Sequence, residues 1–244
     1  MKKTEIKTPG IKKTLMAGCV ALCLSITTAH AGDIPEDPWE GFNRSVFGFN
    51  KFADTYALKP IAKSYDWLVP QPVNNGISNV FDNLGETKNL FNDLLQFKFA
   101  GAGTDVARLV INTTVGVLGV FDVASGWGFH RNTEDFGQTL AAWGFDTGPY
   151  IVLPFLGPSN IRDGTGLIAD FYSVPQAYID HDQTLWSVYG VEVVDGRAGL
   201  LAAEELVQGD EYSFMRDIYL QRREFLASDG AVEDDFTSDD LDDE

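Results

Sequence analysis

The stretch EDPWEGFNRSVFGFNKFADTY, residues 36–56, decides how the rest of the chain is read. Asp37 stands where an N-cap carboxylate accepts from the first turn. Pro38 follows where a helix needs no backbone donor, and Glu40 lies three residues after the cap, so the stretch predicts a helix. At about 3.6 residues per turn, Trp39, Phe42, Val46, Phe49, Phe52, Ala53 and Tyr56 share a wide apolar stripe. Asn43 and Asn50 run along its edge, and Phe47 is left on the polar side. Such a stripe has two physical uses. In a soluble protein it is the core face; a row of amides beside aromatics also suits a helix set between hydrocarbon and a polar passage.

The same period continues outward. Val73, Ile77, Val80, Phe81 and Leu84 repeat at helical spacing after the breaker VPQPV, and Leu90, Phe91, Leu94, Leu95 and Phe97 resume it after Gly85. Thr104 is placed to cap a helix through Val106, Leu109, Val110 and Ile111. Trp186, Tyr189 and Val193 open a long pattern reaching Leu200 and Leu201, and Asp210 starts a last helix with Phe214, Ile218, Phe225 and Leu226. There is no convincing strand alternation and no repeat of solenoid length. The expectation is a mainly α fold in a single domain, residues 32–228, within a chain of 244 residues that is 44% hydrophobic.

Residues 1–31 stand apart as a signal peptide. Lys2, Lys3, Lys7, Lys12 and Lys13 form a basic segment, an apolar run follows, and Ala29-His30-Ala31 is an A-x-A cleavage site. Leu15-Met16-Ala17-Gly18-Cys19 offers the rival reading, a lipobox with lipidation at Cys19. It is disfavoured because only residues 14–18 separate Lys13 from Cys19, shorter than the roughly 7–15 apolar residues a signal core needs. Cleavage after Ala31 removes both cysteines, and with them any disulfide framework or thiol chemistry.

The signal carries five Lys and one Glu, so of 18 basic and 36 acidic residues 13 and 35 remain, net −22. That balance excludes a nucleic-acid binder and argues against charge-driven adsorption to anionic lipid. Residues 229–244, DGAVEDDFTSDDLDDE, hold nine acidic residues and no basic one and read as a disordered, self-repelling tail. Catalysis finds no foothold. The chain past Ala31 has only His130 and His181, no cysteine, no G-x-S-x-G elbow around Ser125 or Ser159, no H-E-x-x-H and no P-loop. His130 reads as a surface residue and His181 as a helix-start residue. The expectation is no enzyme, no cofactor and no metal.

The centre of the chain differs from its flanks. From Thr113 it is glycine-punctuated and apolar, yet Arg108, Asn112 and Asp122 spoil residues 106–124 as a spanning helix. It ends in GPYIVLPFLGPSNIRDGTG, residues 148–166, where prolines at 149, 154 and 158 remove donors and fix φ, so neither a helix interior nor a central strand accepts it. An apolar hairpin entering one leaflet, or a buried loop, has this composition.

Six segments in order carry a family resemblance: DPWEGFNRSVFGFN, VPQPVNNGISNVFDNL, RLVINTTVGVLGVFDVA, EDFGQTLAAWG, GPYIVLPFLGPSNIRDGTG and YLQRREF. Together they resemble the successive signatures of the MlaA/VacJ family of Gram-negative outer-membrane proteins, over roughly residues 37–228. The resemblance implies a ring of amphipathic helices in the inner leaflet of the outer membrane around an amphipathic pore. It implies a role in lipid asymmetry, with misplaced phospholipid passed to a periplasmic carrier, MlaC, often beside a trimeric porin. Members are typically lipoproteins, whereas the preferred cut here leaves no acyl anchor.

Under that resemblance, residues 150–156 face acyl chains or pack, and the lipid-path candidates are Phe42, Asn43, Phe47, Phe49, Asn50, Tyr150, Leu153, Pro154 and Arg162. Arg162 is the candidate phosphate contact, with structural pairing to Asp163 or Asp170 as its alternative. The function expected is passive phospholipid transport at the outer membrane; the alternative is a soluble periplasmic helical interaction module or adhesin.

Overall fold

The computed structural model describes residues 37–207 and 209–230. The segment expected to be a signal peptide, with Cys19, and the part of the expected acidic tail beyond Gly230 lie outside the described residues. Helices dominate, as the periodicity predicts. In chain order they are α1 (Glu40–Ala53), α2 (Lys59–Leu68), α3 (Gln71–Leu95), α4 (Phe99–Thr114), α5 (Val123–Gly126), α6 (Phe136–Ala142), α7 (Ile161–Ser173), α8 (Asp182–Gly199) and α9 (Glu211–Ala227). A π-helical turn, Asp54–Leu58, joins α1 to α2 without a break. There the Lys59 N–H reaches back five residues to Asp54 O. Pro60 follows directly; a proline ring crowds the carbonyl four residues earlier, and the widened turn relieves that clash.

Helix α3 is the spine. It packs on α4, α6, α7 and α8, while α2 lies on α8 and α9 on α6 and the hairpin. Gly85 does not divide α3: the two apolar runs on either side of it belong to one helix. Close approach between helices depends on glycines. A Cβ on Gly101 would lie 2.1 Å from Asp93 Oδ2, and one on Gly166 would lie 2.8 Å from the backbone nitrogen of Gly137.

Four expectations are corrected. Residues 150–160 do form strands, β1 (Tyr150–Leu153) and β2 (Gly157–Asn160), antiparallel with Tyr150 opposite Asn160 and Val152 opposite Pro158. The prolines fit because the ladder has only two strands. The Val152 N–H turns away from β2 to Asn43, so Pro158 opposite it needs no donor. Asp37 is not a cap: α1 begins at Glu40 with no side-chain cap bond, and Asp37 is fully buried. Thr104 lies inside α4, its hydroxyl donating back to Ala100 O at 3.2 Å. Phe47 packs inward, edge-on to Tyr212 at 5.6 Å between ring centroids. His181 does start a helix, its ring accepting from the Thr184 N–H at 3.4 Å.

Burial is inverted relative to a water-soluble protein. Among the described residues 19 polar or charged side chains are buried, against ten apolar ones of which five are alanines. Outside, 35 large hydrophobic side chains are exposed. Four of them, Phe97, Val117, Leu118 and Phe155, occupy left-handed backbone with φ between 55° and 63°. Bulky residues rarely adopt that conformation, and water-exposed turns ordinarily use Gly or Asn there.

Candidate functional site

The polar interior begins on α3. Asn79, Asn83, Glu86, Asn89 and Asn92 recur every three or four residues and so share one face. That face holds irregular backbone. The Asn79 amide donates to Val120 O (3.0 Å) and that of Asn89 to Asn132 O (2.8 Å), while Asn89 Oδ1 accepts from the Glu134 N–H (3.1 Å). Asn92 donates to Asp170 Oδ1 (3.1 Å) and accepts from the Thr139 hydroxyl (2.8 Å). The Asn79 and Asn89 contacts satisfy loop backbone that would otherwise be orphaned away from water, and those of Asn92 satisfy buried side chains of α6 and α7.

Helix α4 meets this face with charge. Arg108 is buried and binds Glu86 Oε1 at 2.7 Å, the Ser125 hydroxyl at 2.9 Å and Phe129 O at 2.7 Å. Asn112 donates to Asp122 Oδ1 (3.0 Å) and accepts from the Ala124 N–H (2.9 Å). The polar residues that spoil a spanning helix therefore anchor the central loop. One turn away Asp93 and Asp105 are both fully buried, and no hydrogen bond of ordinary geometry reaches their carboxylate oxygens. Burial, with Asp93 and Glu86 nearby, pushes the Asp105 carboxyl up to about 8.

Two cavities open along α3 on either side of residues 131–134. One, of about 380 Å³, is lined by Asp93, Lys98, Asn132, Glu134, Gln138 and Phe225 among others. The other, of about 250 Å³, includes Ser78, Lys88, Arg131, Gln176 and Glu192. Thr133 lines both. Ser78 and Asp93 are 15 residues apart on the helix, about 22 Å, so the two cavities lie along one polar lane.

The nine candidate residues of the lipid path line neither cavity. Eight gather where α1, the hairpin and α9 meet. Asn43 has no exposed surface; it donates to Asp37 Oδ1 (2.7 Å) and Tyr150 O (3.1 Å) and accepts from the Val152 N–H (2.9 Å). Seven residues on, Asn50 donates to Leu153 O (2.9 Å) and accepts from the Phe155 N–H (2.8 Å). The two asparagines thus stand in for a third strand along the outer edge of β1. Tyr150 is buried with Val152 and Tyr212 in a small apolar cluster on which Phe47 packs. Phe42, Leu153 and Pro154 are half-buried, and Phe49 is exposed, edge-on to Phe155 at 5.2 Å.

The ninth, Arg162, the candidate phosphate contact, pairs with Asp163 as its alternative reading has it. It is buried, donates to Asp163 Oδ1 at 3.1 Å, and is the structural partner of that carboxylate. Asp163 also accepts from the Tyr219 hydroxyl at 2.8 Å and pairs with Arg223 at 2.7 Å. The residues missed from the sequence are the asparagine face of α3, Lys88, Asp93 and Asp105. Their signal was available in the 3–4 spacing of Asn79, Asn83, Glu86, Asn89 and Asn92, as regular as the apolar spacing on the same helix. Among the described residues no group of His, Cys, Asp and Glu has the arrangement to hold a metal ion.

Comparison with known proteins agrees with this architecture. The family model described as MlaA lipoprotein matches residues 35–226. A relative from Escherichia coli (strain K12), named "Intermembrane phospholipid transport system lipoprotein MlaA", is 33% identical over 238 residues, 94% of this chain and 91% of its own. A relative of the same name from Haemophilus influenzae is 35% identical over 204 residues, 80% of this chain and 81% of its own. A solved structure described as "Structural basis for maintenance of bacterial outer membrane lipid asymmetry" superposes with a TM-score of 0.70 at 34% identity, covering 78% of this chain and 98% of the other.

Proposed function

The chain belongs to the MlaA lipoprotein family, and from that premise we propose that it removes misplaced phospholipid from the outer leaflet of the outer membrane. The lipid moves through a passive amphipathic passage and is handed to a periplasmic carrier. The observation that carries this reading is the inverted burial: 35 large hydrophobic side chains outside, asparagines and ion pairs inside. In water such a surface is a large unfavourable area. In hydrocarbon it is the face the solvent prefers, and the loops then need internal hydrogen-bond partners, the role of the α3 asparagines.

No described helix is long and apolar enough to cross a membrane. The helices are therefore read as lying within the periplasmic leaflet, as a ring around the passage. We assign the passage to the polar lane of α3 in place of the α1–hairpin junction, because the cavities lie along the former and packed side chains fill the latter. The relatives' names and the lipid-asymmetry description of the solved structure support the same role. The sequence carries no nucleotide-binding loop, so direction comes from downstream affinity or from energy supplied elsewhere.

The competing soluble periplasmic module would leave the aromatic belt facing water. Fractionation separates the two: the conduit stays in the membrane pellet through salt and alkaline washes, and its loss raises outer-leaflet phospholipid, read by lipid A palmitoylation. Recovery of the protein in osmotic-shock fluid, with normal lipid asymmetry on its deletion, would sink the proposal.

A further inference from the structure

The 250 Å³ cavity against α3 is lined by Lys88, the Arg131–Asp82 ion pair, Glu192 and Asp195, and in it Lys88 has no direct ion-pair partner. Among the described Lys and Arg residues that are not surface-exposed, Lys88 is the one with no carboxylate within 4 Å; the others are all ion-paired. The carboxylates that feel its field are Asp135, Asp170 and Glu192. Asp135 is already bound by Arg223, and Asp170 already accepts from Asn92 and the Phe136 N–H. The same cavity presents two buried acceptors that no hydrogen bond of ordinary geometry reaches, Gln176 Oε1 and Glu192 Oε2, with the Gln176 side chain lying beside the Glu192 carboxyl. An unpaired ammonium costs free energy in a site sheltered from water, and so does each orphaned acceptor. One ligand chemistry satisfies all three at once: an anion that also bears hydrogen-bond donors.

We infer that this cavity is a headgroup subsite in which Lys88 holds the phosphate of a phosphodiester, while Gln176 and Glu192 accept from the donors of its alcohol moiety. The inference rests on the conduit reading above and deepens it by naming the lipid class. Phosphoethanolamine and phosphoglycerol headgroups carry N–H or O–H donors; phosphocholine carries none on its quaternary nitrogen and leaves both acceptors unpaired. A site built to hydrogen-bond a substrate N–H or O–H rejects the analogue lacking it, because its own buried groups are left unsatisfied. The volume suits a headgroup and not a whole lipid, since pockets that enclose drug-sized ligands run from about 300 to 1,000 Å³. The acyl chains would trail outward to the apolar surface.

The test uses the full chain held in amphipol, with dihexanoyl phosphatidylethanolamine, phosphatidylglycerol and phosphatidylcholine, and inorganic phosphate as the headless control. The wild type is expected to bind the first two on the order of tenfold more tightly than phosphatidylcholine, one pairing of about 1.4 kcal/mol. K88M should lower phosphatidylethanolamine binding by a similar factor and K88R should restore it. Q176L should lower phosphatidylethanolamine binding and leave phosphatidylcholine unchanged. Equal binding of the three lipids, or K88M binding as wild type, overturns the assignment. Inorganic phosphate binding as tightly as the lipids makes this a free-anion site and overturns it too. If K88M lowers the melting temperature and E192Q added to it restores stability, Lys88 is the counter-ion of Glu192 and the subsite falls. A wild type that binds no lipid and appears in osmotic-shock fluid instead refutes the conduit reading itself.

Discussion

At the scale of single residues, stability resides in polar groups that have no alternative partner. Asn43→Ala would strip hydrogen bonds from the Val152 N–H, Tyr150 O and Asp37 in a site without exposed surface. It should cost about 2–4 kcal/mol, whereas Asn50→Ala, half-buried at the turn end of the hairpin, should cost about 1 kcal/mol. Thermal melts of the purified protein in detergent check the order; equal shifts would mean the pair does not brace β1. Asp105 sets a pH dependence. Its ordinary carboxyl value is 3.8, and in the fold it is pushed up to about 8 by burial, then by Asp93 and Glu86. The folded state holds a proton that the unfolded state releases, so this stability is fully present below about pH 4 and lost as pH rises through about 8. The slope is at most about 1.4 kcal/mol per pH unit. Melting temperature should fall between pH 5 and pH 9, and Asp105→Asn, already neutral, should flatten that fall; an unchanged slope in the variant refutes the assignment. Neither role was legible from composition. A buried Asn and a solvated Asn are the same letter, and only the groups opposite them tell the two apart.

At the scale of elements, helix packing here relies on glycine. At Gly101 a methyl would lie 2.1 Å from Asp93 Oδ2, while at Gly103, two residues on and on the outer face, nothing lies within 4 Å. Gly101→Ala should force α3 and α4 apart and destabilise by about 1–3 kcal/mol. Gly103→Ala should be neutral or up to about 1 kcal/mol stabilising through helix propensity. Comparable melting shifts for the two would show that the α3–α4 approach is not tight. Helix existence was readable from the 3.6 period, and so were the starts at His181 and Asp210. The hairpin was not, because its prolines break the usual strand pattern. They are tolerated only since β1 finds its outer partners on α1, more than 100 residues away in sequence.

At the scale of the whole molecule, the exposed apolar belt is the property from which membrane residence follows. Phe155 and Leu118 project from turns at 76% and 72% exposure. Replacing both with Asp removes apolar surface and adds charge where hydrocarbon is expected, at about 2.5–3.5 kcal/mol each near the leaflet centre and less toward its edge. The variant should shift from the alkaline-washed pellet toward the soluble fraction while keeping its helical circular dichroism in detergent. Full retention in the pellet would show that these tips do not contact lipid.

The family was legible from six co-linear segments, and helical class from the period alone. Periodicity marks the two faces of a helix without saying which one turns inward. For α1 and α3 the amides look inward while apolar residues such as Phe49, Phe52, Val73, Phe91 and Leu94 are exposed, the reverse of the ordinary soluble reading. What the sequence by itself determined is therefore local: where helices form, where glycine and proline interrupt them, and which side chains share a face. The tertiary structure decided the direction of those faces, the pairing of Arg162 with Asp163 and the isolation of Lys88. Each depends on which groups meet across distant segments, and burial is favourable or costly only once those partners and the surrounding solvent are set.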